Sequence, residues 1–371
     1  MKTGIFVACA GRQDAGPETY EKMLVENVAK NDPNNEYHIF CFSEKAVSIF
    51  SKEYDNLIFH RLRPSMRWIS LPISLPISLS LSGVSLYHST FIPAPFSLVD
   101  SIFTMHDVSP FTHPQFYPIA IRRRLCPMIE RGLAQAKHII CISEHSRQTT
   151  SEYFNIPLEK ISVVYHGIEN RFTKQPIETA QQVVKRVFKI DGPYLLYVGK
   201  LEARKNIATM LEAFHHYKQQ TKSEHKLVLA GRRFWDLHGI DETISRLKLE
   251  NDVIELGYVS DEDLISLYSA ADLFLFPTLW EGFGFPVLEA MSCGLPVITS
   301  NISCLPEIAN GAAELVDPYS YESISSAINT ITSNKQRRDE MITLGYQRAE
   351  EFTWEATAKE TIKVYDLIRN G

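Results

Sequence analysis

Short apolar runs rich in β-branched and aromatic residues alternate along the whole chain with longer stretches whose apolar positions recur every three or four residues. The short runs have the length and composition of buried strands, and the longer stretches have the spacing of amphipathic helices. This alternation is typical of parallel sheets that are covered by helices. The pattern therefore predicts an α/β protein.

Thirteen runs are predicted to be strands, and they fall into two groups. The first half contains TGIFVACA, EYHIFCF, NLIFHRL, SLYHS, SIFTMHD, HIICIS and ISVVYHG, and the second contains PYLLYVG, HKLVLAG, VIELGYV, DLFLFP, PVITS and AAELVDP. Each group is sufficient for one Rossmann-like sheet. A polar stretch with two prolines, and a helix near residues 172–190, separates them and marks a domain boundary.

Two further segments have a pattern of their own. Residues 68–89 carry almost no charge and are about as long as a membrane helix, but Pro72, Pro76 and the Ser/Leu alternation predict a buried helix or a strand pair, with a membrane-facing element as the alternative. The last segment, FTWEATAKETIKVYDLI, has apolar residues at helical spacing and predicts a terminal amphipathic helix.

Length and composition limit the class of protein. A chain of 371 residues is expected to form two domains, and a net charge of −6 argues against a nucleic-acid partner. The six cysteines are scattered, which indicates reduced thiols, and the apolar run at the N-terminus is too short for a signal peptide. We therefore expect a cytoplasmic protein.

Ligands of open α/β sheets bind outside the carboxyl ends of the strands, so residues that follow the predicted strands are the first candidates for chemistry. Gly11 follows the first strand and His106 the fifth, although each alone is explained as well by an ordinary structural role. Lys200, Arg204 and Lys205 follow YLLYVG, and three cations at such a position favour a diphosphate ligand.

The segment FPTLWEGFGFPVLEAMSCGLPVITS places Glu281 and Glu289 eight residues apart across a glycine-rich loop. Pro286 suits the first turn of a helix, so the backbone amides of Phe283, Gly284 and Phe285 are placed to donate to ligand oxygens at its N-terminus. One carboxylate is suited to sugar hydroxyls and the other to a ribose.

This segment closely resembles the EX7E motif of the retaining glycosyltransferases of family 4. The resemblance continues through HDVSPFTHP, CISEHSRQTT, VVYHGIE, YVGKLEARKNIATMLEAF, LGYVSDEDLISLYSAADLFLFPT and FTWEATAKE. It implies a GT-B architecture, in which two Rossmann-like domains face each other and a C-terminal helix crosses back to the first. The expected boundaries are 1–170 for the acceptor domain, 171–352 for the nucleotide-sugar domain and 353–371 for the helix.

The resemblance also implies roles for individual residues. The catalytic residues would be Glu281, which binds hydroxyls of the donor sugar, His106, which lies against that sugar, and Lys205, which binds the diphosphate. The residues that bind the donor would further include Gly11, Lys200, Phe283, Gly284, Phe285 and Glu289. Lys200 stands where the family usually has arginine, so a single contact would replace a bidentate one.

The resemblance is greatest to bacterial mannosyltransferases that use GDP-mannose in polysaccharide or O-antigen assembly, with a glycan or a lipid-linked saccharide as acceptor. A UDP-sugar donor, a sugar-nucleotide epimerase and a non-catalytic sugar-nucleotide-binding protein remain alternatives. No cofactor or metal is expected, because protein cations neutralise the diphosphate. The DXD-like triplet Asp261-Glu262-Asp263 is interpreted as a helix start.

The charge of the first half is locally reversed. Residues 56–137 contain eight basic and three acidic residues, within a chain of net negative charge. Together with the apolar segment 68–87, this excess suits weak, peripheral association with an anionic membrane at its inner face. An ordinary solvated face that includes Arg122, Arg123 and Arg124 is the alternative.

Overall fold

The structure is a computed structural model that describes residues 2–12, 15–51, 53–234 and 239–370. The chain divides into two compact units, one formed by Met1–Gly167 with Phe352–Gly371 and the other by Ile168–Glu351. Each unit has a parallel sheet covered by helices, and all thirteen predicted strands are present in the described residues. The predicted α/β class is therefore confirmed.

The strands of the first unit have the order β3-β2-β1-β4-β5-β6-β7, and those of the second β10-β9-β8-β11-β12-β13. Their bounds are β1 Lys2–Phe6, β2 Glu36–Cys41, β3 Leu57–Arg61, β4 Leu86–Ser89, β5 Asp100–Met105, β6 His138–Cys141, β7 Ile161–Val163, β8 Tyr194–Val198, β9 Lys226–Ala230, β10 Val253–Gly257, β11 Leu273–Phe276, β12 Val297–Ser300 and β13 Glu314–Val316.

The α-helices connect these strands along the chain, together with short 3₁₀ segments. Their bounds are α1 Ala15–Asn31, α2 Glu44–Val47, α3 Arg67–Ile69, α4 Leu75–Ser82, α5 Ser109–Thr112, α6 Ile119–Gln135, α7 Glu144–Phe154, α8 Ile177–Phe188, α9 Ile207–Thr221, α10 Ile240–Leu247, α11 Asp261–Ala270, α12 Phe285–Ser292, α13 Leu305–Ala309, α14 Tyr321–Ser333, α15 Lys335–Glu350 and α16 Trp354–Asn370.

The apolar segment 68–89 is helical before it enters β4, so the strand-pair alternative is wrong. A π-helical segment, Ser70–Ser74, joins α3 to α4 and contains Pro72, while Pro76 lies in the first turn of α4. Proline is tolerated in both places because the wider turn and the helix start do not require its missing N–H.

Only one face of this segment is buried, which corrects the prediction of a buried helix. Leu71, Leu75 and Leu79 pack in a core cluster with Phe6, Phe40 and Tyr87 of the sheet. The opposite face presents Ile73, Ile77 and Leu81, whose exposed fractions are 54%, 52% and 82%. Such a spacing of four places all three side chains on one stripe of the helix.

The terminal helix α16 packs against α1 within the first unit. Trp354, Ala358 and Tyr365 are buried at the spacing that the sequence shows. The Thr357 hydroxyl also donates to the Tyr165 carbonyl oxygen over 2.8 Å. The buried apolar stripe therefore holds α16 in the first unit. The hydrogen bond to the chain after β7 adds to this attachment.

Candidate active site

The second sheet reverses its strand order between β8 and β11, which pair in parallel next to each other. In a parallel sheet both carboxyl ends lie at the same edge, and the reversal opens a crevice there for a ligand. Lys200 and Lys205 follow β8, and Glu281 follows β11. The fold therefore brings together, at the expected edge, residues that the sequence separates widely.

Lys205 and Glu281 form a buried ion pair in which the Lys205 ammonium donates to Glu281 Oε1. Arg204 reaches the other oxygen, with Nη1 3.3 Å from Glu281 Oε2, and its Nε lies 2.6 Å from Glu202 Oε1. The Lys205 ammonium also lies 5.0 Å from the centre of the Phe276 ring. Two cations and two carboxylates thus compensate one another in a largely dry site.

The environment changes the acidity of both partners. Burial raises the pKa of the Glu281 carboxyl, but the charges and hydrogen bonds of Lys205 and Arg204 outweigh it and hold the pKa below its usual value. Burial lowers the pKa of Lys205, assisted by the neighbouring Arg204 charge and opposed by Glu281. Each partner thus favours the charged form of the other, and both are placed to meet charged and polar ligand groups.

Asn206 fixes the loop that carries Lys205. Its backbone adopts a left-handed conformation with φ of 61°, and its side-chain amide donates to the carbonyl oxygens of Pro277 and Pro318 over 3.0 and 2.6 Å. Asparagine tolerates this conformation better than most residues. Asn206 was not predicted from the sequence, although its place directly after the three cations was a signal.

The remaining cations after β8 and β9 differ from Lys205. Lys200 is partly exposed, and its ammonium lies 4.5 Å from the centre of the Phe234 ring. Arg233 forms ion pairs with Asp241 and Glu255 over 2.6 and 2.7 Å, and these anchor it to its own unit. Lys200 thus remains a candidate ligand for a phosphate, while Arg233 has a structural role.

The glycine loop before α12 has the conformation that its sequence requires. Gly284 has a φ of 96°, and a Cβ atom there would lie 2.9 Å from Leu305 Cδ2. Phe283 is buried, and its ring meets that of Phe285 edge-on at 5.3 Å. The Cys304 thiol donates to the carbonyl oxygens of Glu281 and Phe283. The loop is therefore held in place by contacts with Leu305 of α13 and with Cys304, the N-cap residue of that helix.

Glu289 lies one turn into α12 and is half-buried. The phenol of Tyr268, on α11, donates to Glu289 Oε2 over 2.9 Å. Burial raises the pKa of Glu289 to about 7, although the Tyr268 hydrogen bond and the Arg171 charge lower it. Tyr268 was not singled out from the sequence, where it looks like any apolar position of a helix.

The acidic triplet on α11 starts that helix, as predicted. Ser260 is the N-cap, and its hydroxyl accepts from the Asp263 backbone N–H over 3.2 Å. All three acids lie in the first turn, where the helix dipole stabilises negative charge.

In the first unit, His106 directly follows β5. The Nε2–H group of His106 donates to the Thr90 carbonyl oxygen over 2.8 Å. Since a carbonyl only accepts, Nδ1 is the basic nitrogen of the neutral ring. Burial lowers the pKa of His106 below its usual value, against the opposing effects of Thr90 and Asp107. The side chain is thus neutral with a fixed tautomer.

A buried chain of hydrogen bonds supports His106 from behind. The Tyr365 hydroxyl lies 2.8 Å from His88 Nδ1, His88 Nε2 lies 2.6 Å from the Thr104 hydroxyl, and that hydroxyl lies 3.0 Å from the Tyr20 hydroxyl. The Tyr20 ring then meets His106 edge-on at 5.3 Å. His88 sits within a strand run, so the sequence offered no reason to separate it from the core.

The loop after β1 has its backbone amides occupied by carboxylates of α1. Glu21 accepts from the N–H groups of Ala8, Cys9 and Ala10 over 2.7, 2.8 and 2.7 Å, and Glu18 accepts from Gly11 over 2.9 Å.

Glu21 is buried, and burial raises its pKa to about 7 against the hydrogen bonds that it accepts. Glu21 was not predicted from the sequence, although it shares a helix face with the apolar residues Leu24, Val25 and Val28, which was a signal. Gly11 has a φ of 77° and packs against the start of α2, while residues 13 and 14 of the predicted loop lie outside the described residues.

Comparison with known proteins places the two units in known sequence families. Residues 16–171 match the family described as Glycosyltransferase Family 4, and residues 179–348 match the one described as Glycosyl transferases group 1. The O-antigen chain mannosyltransferase B of Escherichia coli is 34% identical over 284 residues, covering 76% of this chain and 74% of that protein.

Two more proteins show the extent of the likeness. The O-antigen chain mannosyltransferase RfbU of Salmonella typhimurium is 27% identical over 272 residues, covering 73% of this chain and 72% of that protein. The structure of Anabaena Alr3699/HepE in complex with UDP-glucose has a TM-score of 0.77 at 16% identity and covers 99% of both chains. The fold is therefore shared over its full length.

Proposed function

The chain belongs to glycosyltransferase family 4 and has the GT-B fold, and we propose that it transfers mannose from GDP-mannose to a glycan or lipid-linked saccharide in polysaccharide or O-antigen assembly. The observation that carries the proposal is the buried Lys205–Glu281 pair at the strand-order reversal of the second sheet. Such a pair offers a cation to a leaving phosphate and a carboxylate to sugar hydroxyls.

The choice of mannose is supported by the named activity of the relatives. Both O-antigen relatives are mannosyltransferases by name, and each aligns with more than seven-tenths of this chain, at 76% and 73% coverage. UDP-sugar transfer is the second candidate, because the Anabaena structure of the same fold holds UDP-glucose.

The proposed chemistry is transfer with retention of anomeric configuration. The bond from the anomeric carbon to the diphosphate breaks, a bond to the acceptor hydroxyl oxygen forms on the same face, and the acceptor proton passes to the leaving phosphate. Lys205 and Lys200 stabilise the charge that develops on the diphosphate, and Glu281 orients the sugar hydroxyls. Glu289 takes the ribose, and no metal is required.

In the first unit, His106 keeps the role that the family resemblance implies, a contact with the donor sugar. Its neutral state and fixed tautomer suit it to hydrogen bonding rather than to carrying charge. For Gly11 we propose a weaker part than the resemblance implies, since its N–H is already bonded to Glu18.

The acceptor side of the proposal includes peripheral contact between the first unit and an anionic membrane inside the cell. The exposed stripe of Ile73, Ile77 and Leu81 supports it, and there is no acidic residue between Asp55 and Asp100. Among the described residues no helix has the length and apolar content needed to cross a bilayer.

A panel of nucleotide sugars tests this proposal. Thermal stabilisation and slow donor hydrolysis would be measured for GDP-mannose, GDP-fucose, UDP-glucose and UDP-galactose, each with and without EDTA. We expect GDP-mannose to give the largest shift and to be hydrolysed equally well with EDTA. Preference for a UDP-sugar would contradict the donor, loss of hydrolysis in EDTA that Mg²⁺ or Mn²⁺ restores would contradict metal independence, and conversion to an isomer would indicate an epimerase.

A further inference from the structure

The contact between Tyr268 and Glu289 is a candidate for a role in ligand recognition. Tyr268 is fully buried on α11, and its ring packs edge-on against Phe274 at 5.6 Å and Phe172 at 6.2 Å. Burial and the neighbouring Glu289 charge raise the pKa of the phenol well above its usual value. Tyr268 is therefore a fixed hydrogen-bond donor at any working pH.

The donor engages only one of the two carboxylate oxygens. The phenol binds Oε2, and within the part of the chain that the structure describes no protein group donates to Glu289 Oε1. Arg171, whose charge lowers the pKa of Glu289, is itself paired with Glu169 at 2.7 Å and with Asp261. One oxygen is held by the protein and the other is available to a ligand.

We infer that Tyr268 is a positioning residue that orients Glu289 Oε1 toward the ribose hydroxyls of the nucleotide, and that it sets the preference for ribonucleotides over deoxyribonucleotides. This inference rests on the proposed function, in which Glu289 binds the ribose. A carboxylate with free rotation must lose that freedom when it binds, whereas one already held by a buried phenol does not.

Burial raises the pKa of Glu289 to about 7, so above that pH the carboxyl group is mostly ionised. Hydrogen bonds to an ionised carboxylate are strong, so there the intact pair should discriminate well between ribose and deoxyribose. The usual strength of such bonds corresponds to a preference for the ribose of roughly tenfold to a hundredfold. Loss of the phenol hydroxyl leaves the Tyr268 ring packing in place but releases the carboxylate. The change should therefore reduce the preference and leave base and diphosphate contacts intact.

The chain offers a matched control in Tyr194. It is also buried, and its hydroxyl donates over 2.7 Å to the carbonyl oxygen of Leu267, next to Tyr268 on the same helix. Within the described residues, Tyr194 makes no hydrogen bond to Glu289. Tyr194→Phe removes a buried hydroxyl bonded to α11 without touching the carboxylate.

The experiment is calorimetric titration of the full chain with GDP, 2′-deoxy-GDP and 3′-deoxy-GDP, and in parallel with UDP and its deoxy analogues. In Tyr268→Phe we expect the ratio of deoxy to ribo Kd to fall to about threefold or less, with the deoxy Kd unchanged within about twofold. Tyr194→Phe should keep the wild-type ratio. Glu289→Asp, which withdraws the carboxylate from the phenol, should lose the preference like Tyr268→Phe.

Three results would overturn the inference. The first is a wild-type ratio in Tyr268→Phe, and the second is an equal loss of affinity for ribo and deoxy ligands, which would indicate a structural role only. If Tyr268→Phe does not fold, a wild-type ratio in Glu289→Asp is the corresponding result. The third is the absence of any nucleotide binding by the wild type, which would overturn the proposed function as well, whereas the first two leave that function standing.

Discussion

At the scale of single residues, the site depends on charges that compensate one another out of water. Lys205 and Glu281 are both buried, and Arg204 with Glu202 completes the group. Removing one member of such a pair strands the other charge in a dry environment, which costs far more than the pair itself contributes. In the proposed function, ligand binding and stability therefore depend on the same four side chains.

Glu281→Ala should lower the free energy of unfolding by about 3–5 kcal/mol, because Lys205 loses its partner. It should also lower kcat strongly, since the sugar loses its orienting carboxylate. The double variant Glu281→Gln/Lys205→Met carries neither charge, so it should recover most of the stability but remain inactive. Urea unfolding and donor hydrolysis measure the two effects, and a Glu281→Ala enzyme with near wild-type kcat would refute the role.

Glu289 predicts a pH dependence of stability. Burial raises its pKa from 4.5 to about 7, so the folded state favours the protonated carboxyl group. The resulting stabilisation is complete below pH 4.5, the pKa in the unfolded chain, and is lost as the pH rises to about 7. Between pH 5 and 7, the unfolding free energy of the wild type should fall relative to Glu289→Gln by up to about 1.4 kcal/mol per pH unit.

Urea unfolding at pH 5, 6 and 7 measures this difference between the wild type and Glu289→Gln. Glu262→Gln removes an exposed carboxylate from α11 and serves as the control. Parallel curves for the wild type and Glu289→Gln would count against the raised pKa.

The individual candidates could be found in the sequence, but their partners could not. Lys205 and Glu281 stand out because each follows a strand and belongs to a recognisable motif. Tyr268, Asn206 and His88 resemble ordinary helix, loop and strand residues, and only the packing of distant segments shows what they touch. These contacts join residues that are far apart in the sequence, and a local sequence pattern does not show which distant residues meet.

At the scale of elements, the loop before α12 depends on one glycine. Gly284 combines a left-handed backbone with a close approach to Leu305, whereas Gly311 is equally left-handed but meets nothing within 4 Å. Gly311→Ala should therefore cost only the conformational strain of about 1–2 kcal/mol, and Gly284→Ala distinctly more. Gly284→Ala should also weaken GDP binding, as measured by calorimetry. Equal losses of stability and unchanged binding would contradict this account of the loop.

The exposed stripe that runs from the π-helical segment into α4 predicts salt-sensitive sedimentation with anionic vesicles. Replacing Ile73, Ile77 and Leu81 with serine should reduce binding about tenfold or more, because apolar area no longer enters the interface. Replacing Ile177, Leu315 and Leu344, exposed residues of the second unit, is the matched control and should change little. Replacing Arg122, Arg123 and Arg124 with glutamine should weaken binding mainly at low salt.

Two outcomes would remove the membrane proposal. One is binding to neutral vesicles as strong as to anionic ones, and the other is equal loss in the control. A wild type that stays in the supernatant and forms dimers through the stripe would point to self-association instead.

Strands were predicted better than the segment around α4. Apolar runs bounded by turn residues allow few alternatives, and all thirteen appear in the described residues. Residues 68–82 instead combine helix-breaking prolines with a strand-like alternation, and a π-helical segment resolves that conflict. A π-helical turn of five residues is too short to produce a recognisable hydrophobic periodicity in the sequence.

At the scale of the whole molecule, two units of the same layered design carry different chemistry. The second holds the buried Lys205–Glu281 contact and the half-buried Glu289, while the first holds neutral His106 above a buried hydrogen-bond chain that ends on α16. Chain length and the grouping of strands were enough to predict two units. That the last segment returns to the first unit was predicted from the family resemblance, since its periodicity indicates only an amphipathic helix.

The most direct test is the product formed from GDP-mannose in the presence of methanol as a small surrogate acceptor. Methyl mannosides do not interconvert in water, so proton NMR of the isolated product reports the stereochemistry of the enzymatic step. GDP-mannose carries its sugar in the α configuration, and the account predicts methyl α-mannoside from the wild type, with Glu281→Ala and Lys205→Ala slower by about a hundredfold or more. Methyl β-mannoside, or wild-type rates in both variants, would contradict it.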